Sequence, residues 1–111
     1  MASAARVLDD SSESMRTELK ARIDQLQRDF RLLSTGELCR RADMIRHIAD
    51  GERLEVVRRL AVGLREAIAA GGRGAAVQPW FDGMREAVSS PMQDDAAARA
   101  FLAVVSTRLA G

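Results

Sequence analysis

The sequence predicts an all-α fold, a compact bundle of four to five mostly antiparallel helices over residues 12–111, behind a flexible polar leader at residues 1–11. Three observations lead there. Apolar residues recur three and four positions apart in successive blocks, which is the period of one helix face. The blocks are divided by short cap or turn signals, Ser34-Thr35-Gly36-Glu37, Asp50-Gly51, Gly71-Gly72-Arg73-Gly74 and Ser89-Ser90-Pro91, and short connections favour antiparallel neighbours. No stretch bounded by turn residues alternates apolar and polar positions as a strand would.

The first helix, from about Ser12 to Leu33, carries Leu19, Ile23, Leu26, Phe30 and Leu33 on one stripe. Glu18 with Arg22 and Asp24 with Arg28 are spaced to pair one turn apart on its surface. Ser34 to Glu37 reads as a capping box that opens a second helix, whose face is Leu38, Ala42, Ile45 and Ala49. Asp50-Gly51 should end it, with glycine supplying the left-handed turn and Asp50 capping a third helix. That third helix has the widest apolar arc, Leu54, Val57, Leu60, Ala61, Leu64, Ala67 and Ile68, so it belongs at the centre of the core.

Three glycines in the four residues Gly71 to Gly74 are too costly in backbone entropy to stay helical. Pro79 suits the first turn of a short fourth helix with Phe81, Met84 and Val88 on one side. Ser90-Pro91-Met92-Gln93 is a second capping-box candidate, opening a fifth helix that buries Ala98, Phe101, Leu102, Val105 and Leu109.

At 111 residues, with 47% apolar and 30% charged side chains, the chain is one domain's worth of foldable protein. Seventeen basic and sixteen acidic residues leave +1, too little to draw in nucleic acid or an anionic membrane by net field. The N-terminus lacks the apolar run of a signal peptide, and the longest wholly apolar run, Ala100 to Val105, is far short of the ~20 residues of a membrane span. A soluble, cytoplasmic protein is expected. Lys20 is the one lysine among the basic residues; this bias toward arginine, with abundant alanine, is what GC-rich bacterial coding produces and carries no functional weight.

His47 is the only histidine, so any imidazole chemistry falls to it. It lies opposite the apolar face of the second helix and should be exposed, within reach of Asp43. The string His47-Ile48-Ala49-Asp50-Gly51 resembles the histidine phosphotransfer pattern at the histidine and at the glycine four positions on. It departs from that pattern at Asp50, where such modules carry a basic residue that would attract a phosphoryl group. The resemblance implies a phospho-acceptor histidine; the structural alternative is a solvated side chain beside Asp43. Asp43 and His47 alone supply too few ligands for zinc, and no metal or cofactor is expected.

Cys39, the single cysteine, sits at the edge of the second helix's apolar face, and burial as a small hydrophobe is the usual fate of such a thiol. The glycine loop with Arg73 lacks the Lys-Ser/Thr of a phosphate-binding loop. Residues 28–73 hold ten arginines against seven acids, spread over more than one helix face. The turn spacing of a DNA-reading helix-turn-helix is not met at Ala42 or Ala49. Nucleic acid is therefore a minority reading, and pairing of the arginines with Glu37, Glu55 and Glu66 the plainer one.

With no convergent catalytic set, the expected function is that of a non-enzymatic helical module that binds another protein or itself. Two candidate contacts stand out. The first-helix stripe of Leu19, Ile23 and Leu26 has heptad spacing that suits a homodimer seam. Trp80, beside the glycine loop, cannot face the core together with Phe81 and should sit at its rim. The alternatives are a phosphotransfer protein using His47 and a weak nucleic-acid binder using the central arginines.

Overall fold

The computed structural model describes the backbone of residues 2–111 and the side chains of residues 11–111. The described residues form five α-helices and two short 3-10 turns: α1 (Ala2–Asp29), a turn at Phe30–Leu32, α2 (Thr35–Gly51), α3 (Glu55–Ala69), a turn at Gly74–Ala76, α4 (Gln78–Val88) and α5 (Asp95–Ala110). No strand occurs among the described residues. The backbone is already helical from Ala2, ahead of the start near Ser12 that the apolar stripe suggests. Met1 and the side chains of residues 2–10 of the expected leader lie outside the described residues.

Helices α1 to α4 pack in cyclic order, each against the next and α4 back against α1, while α5 lies across α3 and α4. The expected faces of α1 and α2 are the ones buried: Leu19, Ile23, Leu26, Phe30, Leu38, Ala42, Ile45 and Ala49 all belong to one core. Helix α3 touches α2, α4 and α5, and so it buries Val56 in addition to Val57, Leu60, Ala61, Leu64 and Ile68. At the far end Phe30 meets Phe81 edge to face, with ring centroids 6.0 Å apart. That geometry suits the aromatic quadrupole. Gly83 lets three helices converge, because a Cβ there would lie 3.3 Å from Val105 Cγ2 and 3.4 Å from Leu60 Cδ1.

Polar contacts between helices fix the arrangement. Arg16 Nη1 donates to the carbonyls of Val88 at 3.0 Å and Ser90 at 2.9 Å, placing a cation at the negative end of α4. Arg85 pairs with Asp24 at 2.7 Å, joining α4 to α1. Asp24 is thus taken from Arg28, its expected partner, which instead donates to Gln25 Oε1. The expected Glu18–Arg22 pair is present at 3.3 Å.

Three helix ends differ from the local signals. Ser34 does cap α2, its hydroxyl accepting from Glu37 N–H at 3.2 Å, yet the Glu37 carboxylate turns away to Arg40 and Arg41. The left-handed residue after α2 is Arg53, φ 59°, rather than Gly51, which stays helical. Ser90 does not cap α5. Asp94 does, accepting from Ala97 N–H at 2.8 Å. Gln93 serves other partners: its amide donates to the carbonyls of Ala87 and Ser90, and its Oε1 accepts from Val56 N–H at 2.9 Å. One side chain therefore closes α4 and caps α3, whose own N-cap residue, Leu54, offers no side-chain acceptor.

Glu55 anchors an ion cluster, accepting from Arg58 at 2.6 Å and from Arg59 at 2.8 Å, while Arg59 reaches Asp95 of α5 at 2.7 Å. The Arg58 guanidinium foremost, then that of Arg59, outweigh partial burial and hold the Glu55 carboxyl at about 2, against its ordinary 4.5. A carboxyl that binds its proton more weakly when folded stabilises the fold above its unfolded value. That contribution is complete above about pH 4.5 and disappears as the pH falls through about 2. Melting temperature should therefore fall across this window, and Glu55→Gln should narrow the fall, a thermal series at several pH values giving the comparison. Side chains about 31% exposed on both partners keep the effect modest and sensitive to salt.

Candidate functional site

The expected contact stripe on α1 is not a surface. Leu19 and Ile23 are fully buried and Leu26 is 1% exposed, because α2 and α4 pack over that side of α1. Heptad spacing describes the seam of any antiparallel bundle as well as that of a dimer, and here the partner helices are in the same chain. The stripe therefore leaves no open seam for a homodimer through the first helix.

Trp80 does stand at the rim. It is half-buried near the start of α4, with its six-membered ring seated on Gly63 of α3: a Cβ at Gly63 would come within 2.1 Å of Trp80 Cζ3. Ala67, Ala76 and Leu109 border the same hollow. The indole Nε1 is enclosed and has no hydrogen-bond partner, the one such side-chain nitrogen or oxygen among the described residues. An enclosed N–H left unpaired typically costs about 1–3 kcal/mol. Phe81, one residue on, points fully inward, 1% exposed. Gly63 was missed at the sequence level, since a lone glycine inside a helical pattern gives no sign of which ring it accommodates.

Beside Trp80, α5 is only shallowly embedded. Ala98 and Val105 are its buried residues, Phe101 and Leu102 pack partly against the core, and Val104 and Leu109 are 47% and 40% exposed. Leu109 was expected in the core; it lies at the last turn of α5, beyond the reach of full coverage. Between α4 and α5 runs an apolar groove lined by Pro79, Gly83, Phe101 and Val104, with Glu86 and Arg108 at its edge. Among the described residues neither Glu86 nor Arg108 makes an ion pair.

His47 is exposed on α2 as expected. Asp43 is engaged by Arg46 at 2.8 Å, which foremost holds its carboxyl below the ordinary range, with Arg65 and His47 adding smaller pulls. Asp43 and Asp50 lie four residues before and three after the imidazole, so acidic groups flank it along the helix. Their charge opposes an incoming phosphoryl group. Cys39 is half-buried against the core rather than fully enclosed, its Sγ 4.0 Å from the Arg65 carbonyl. No group of three or more His, Cys, Asp and Glu side chains among the described residues is placed to hold a metal ion.

Four of the ten central arginines, Arg40, Arg41, Arg58 and Arg59, pair as expected with Glu37 and Glu55. Glu66 takes no arginine among the described residues, and lies instead at the Trp80 hollow. No described helix is long and apolar enough to cross a membrane. Arg73, exposed on the glycine loop, lies over the Phe30 ring, 5.4 Å from its centroid. The loop itself turns through left-handed Gly71 and Gly74, at φ 88° and 54°. Comparison of the chain with protein-family models, with curated proteins and with solved structures finds no significant match.

Proposed function

We propose that this chain is a non-enzymatic helical module that works by docking a second protein chain on its α4–α5 face. The observation that supports this most is the apolar groove of Pro79, Gly83, Phe101 and Val104, edged by Glu86 and Arg108, neither of which makes an ion pair among the described residues. Grooves of this kind accept the apolar side of a helix, and rim charges set its register. The charges favour a second copy as the occupant. In a twofold contact each surface meets itself reversed, so Glu86 of one copy faces Arg108 of the other.

Light scattering after size exclusion should give twice the monomer mass at micromolar concentration. Val104→Glu should return a monomer with unchanged helix content, since Val104 is already half-exposed. Glu86→Arg alone should weaken the dimer, and adding Arg108→Glu should restore it, because the swap recreates both ion pairs. A wild-type chain that stays monomeric at every accessible concentration would remove the second copy as the occupant of this face.

A further inference from the structure

Against the Phe30–Phe81 contact, three arginines from two distant parts of the sequence border one cleft of about 630 Å³: Arg28 near the end of α1, Arg31 on the 3-10 turn after it, and Arg73 in the glycine loop. Among the described residues none of the three pairs with a carboxylate. The acids carried nearby in sequence are committed elsewhere. Asp29 binds Arg41, Glu37 binds Arg40 and Arg41, and Asp82 binds Arg85. The cleft thus keeps three positive charges, although the chain as a whole is nearly neutral at +1.

Arg73 is held in place. Its guanidinium donates to the Gly72 carbonyl at 2.6 Å and to Thr35 Oγ1 at 2.9 Å, and it stacks on Phe30. The close turn around it requires glycine, because a Cβ at Gly72 would sit 2.8 Å from the Ala67 carbonyl oxygen. Beneath the arginines the cleft reaches Phe30, Val77 and Phe81, which are 9%, 5% and 1% exposed; the rest of its lining is arginine, glutamine and Gly74. At its edge Gln27 Nε2 donates to Gln78 Oε1 at 2.8 Å and Gln78 Nε2 donates to Asp82 Oδ1 at 2.9 Å, leaving Gln27 Oε1 free to accept.

We propose that this cleft binds a nucleotide-type ligand, with Arg28, Arg31 and Arg73 on its phosphates and its flat heterocycle over the apolar lining beside the Gln27–Gln78 amides. Guanidinium forks match phosphate oxygens in pairs, and three arginines without carboxylates suit a polyphosphate better than a single charge. The volume is that of a small-molecule site, and the near-neutral net charge lacks the extended field that a nucleic-acid polymer requires. This site shares α4 with the α4–α5 groove but none of its lining residues, and stands or falls separately from it.

Calorimetric titration of the full chain with metal-free ATP should show saturable binding that weakens at least about tenfold in Arg31→Gln. Arg31 is exposed and makes no contact that the fold needs, so the variant should melt as wild type does. Arg99→Gln, on the outer side of α5 beside Asp95, should leave ATP binding unchanged. Adenosine and inorganic tripolyphosphate should each bind at least about tenfold more weakly than ATP, since each engages half of the cleft. The proposal is overturned by the absence of binding at millimolar ATP. Undiminished binding by an Arg31→Gln/Arg73→Gln variant, or tripolyphosphate binding as tightly as ATP, would also overturn it. A single-stranded oligonucleotide that binds where ATP does not would assign the arginines to nucleic acid, and overturn it as well.

Discussion

Leu26→Glu is expected to unfold the chain at neutral pH. Leu26 is 1% exposed, within the stripe of α1 that α2 and α4 cover. Losing its burial costs about 2–3 kcal/mol, and enclosing a carboxylate with no partner adds several more, whether as desolvation or as a raised pKa. A domain of this size has a total stability of about 5–15 kcal/mol, so the two together remove most of it. Circular dichroism should show the helical signal lost or its melting midpoint lowered by about 15 °C or more. Leu26→Ala provides a graded arm: it should stay folded and cost about 2–5 kcal/mol in chemical denaturation. A Leu26→Glu protein as stable as wild type would mean that the stripe is not interior and that α1 does not pack under α2 and α4.

Gly63→Ala should destabilise the protein, although the same change in an exposed helix interior is favourable by about 1 kcal/mol. The new methyl would fall within 2.1 Å of the Trp80 ring, a separation that no packing can accommodate. Because the ring is the far end of a half-exposed side chain, it can swing out of the notch while α3 holds its position. Displacing much of an indole from apolar contact costs about 2–3 kcal/mol, and the freed Nε1 regains water, so the net loss should stay under about 1–2 kcal/mol. Trp80 is the only tryptophan, and its emission should move to the red and become open to quenchers. In a Trp80→Ala background the obstacle is gone, and Gly63→Ala should then stabilise. The two changes together should show a coupling of about 2–3 kcal/mol in a double-mutant cycle. Unshifted emission together with a stabilised Gly63→Ala protein would contradict the seating of the ring on Gly63.

The helices and their inward faces were legible because both are local. A side chain's position on a helix follows from its number alone, at about 100° per residue, so Leu38, Ala42, Ile45 and Ala49 could be assigned to one buried face without knowledge of what covers it. The same holds for Leu60, Leu64 and Ile68. The separation of Phe81 from Trp80 was legible by the same rule, as was the exposure of His47. Which surface meets each face could not be read. The stripe of Leu19, Ile23 and Leu26 looks alike whether α2 and α4 or another copy lies on it, and Gly63 is silent about Trp80.

Helix ends and ion pairs divide in the same way. Ser34 caps α2 from three residues away, and that much is written locally. Gln93 caps α3 from the α4–α5 connection, and Asp24 leaves Arg28 for Arg85 of α4. A buried or half-buried partner across the bundle outweighs a solvated one on the same helix, since lower dielectric strengthens the pair. The arginine cleft is the extreme case: Arg31 and Arg73 are far apart in the chain and adjacent only after folding. The sequence by itself determined the helical class, a bundle of four to five helices and most of the faces they bury, because periodicity and hydrophobic burial act over a few residues. Tertiary structure alone decided that the α1 stripe is interior, that α5 is left half-covered with Val104 and Leu109 open, and that three arginines share a cleft without carboxylates. Those outcomes depend on which surfaces are closest after packing, and no local period encodes that distance.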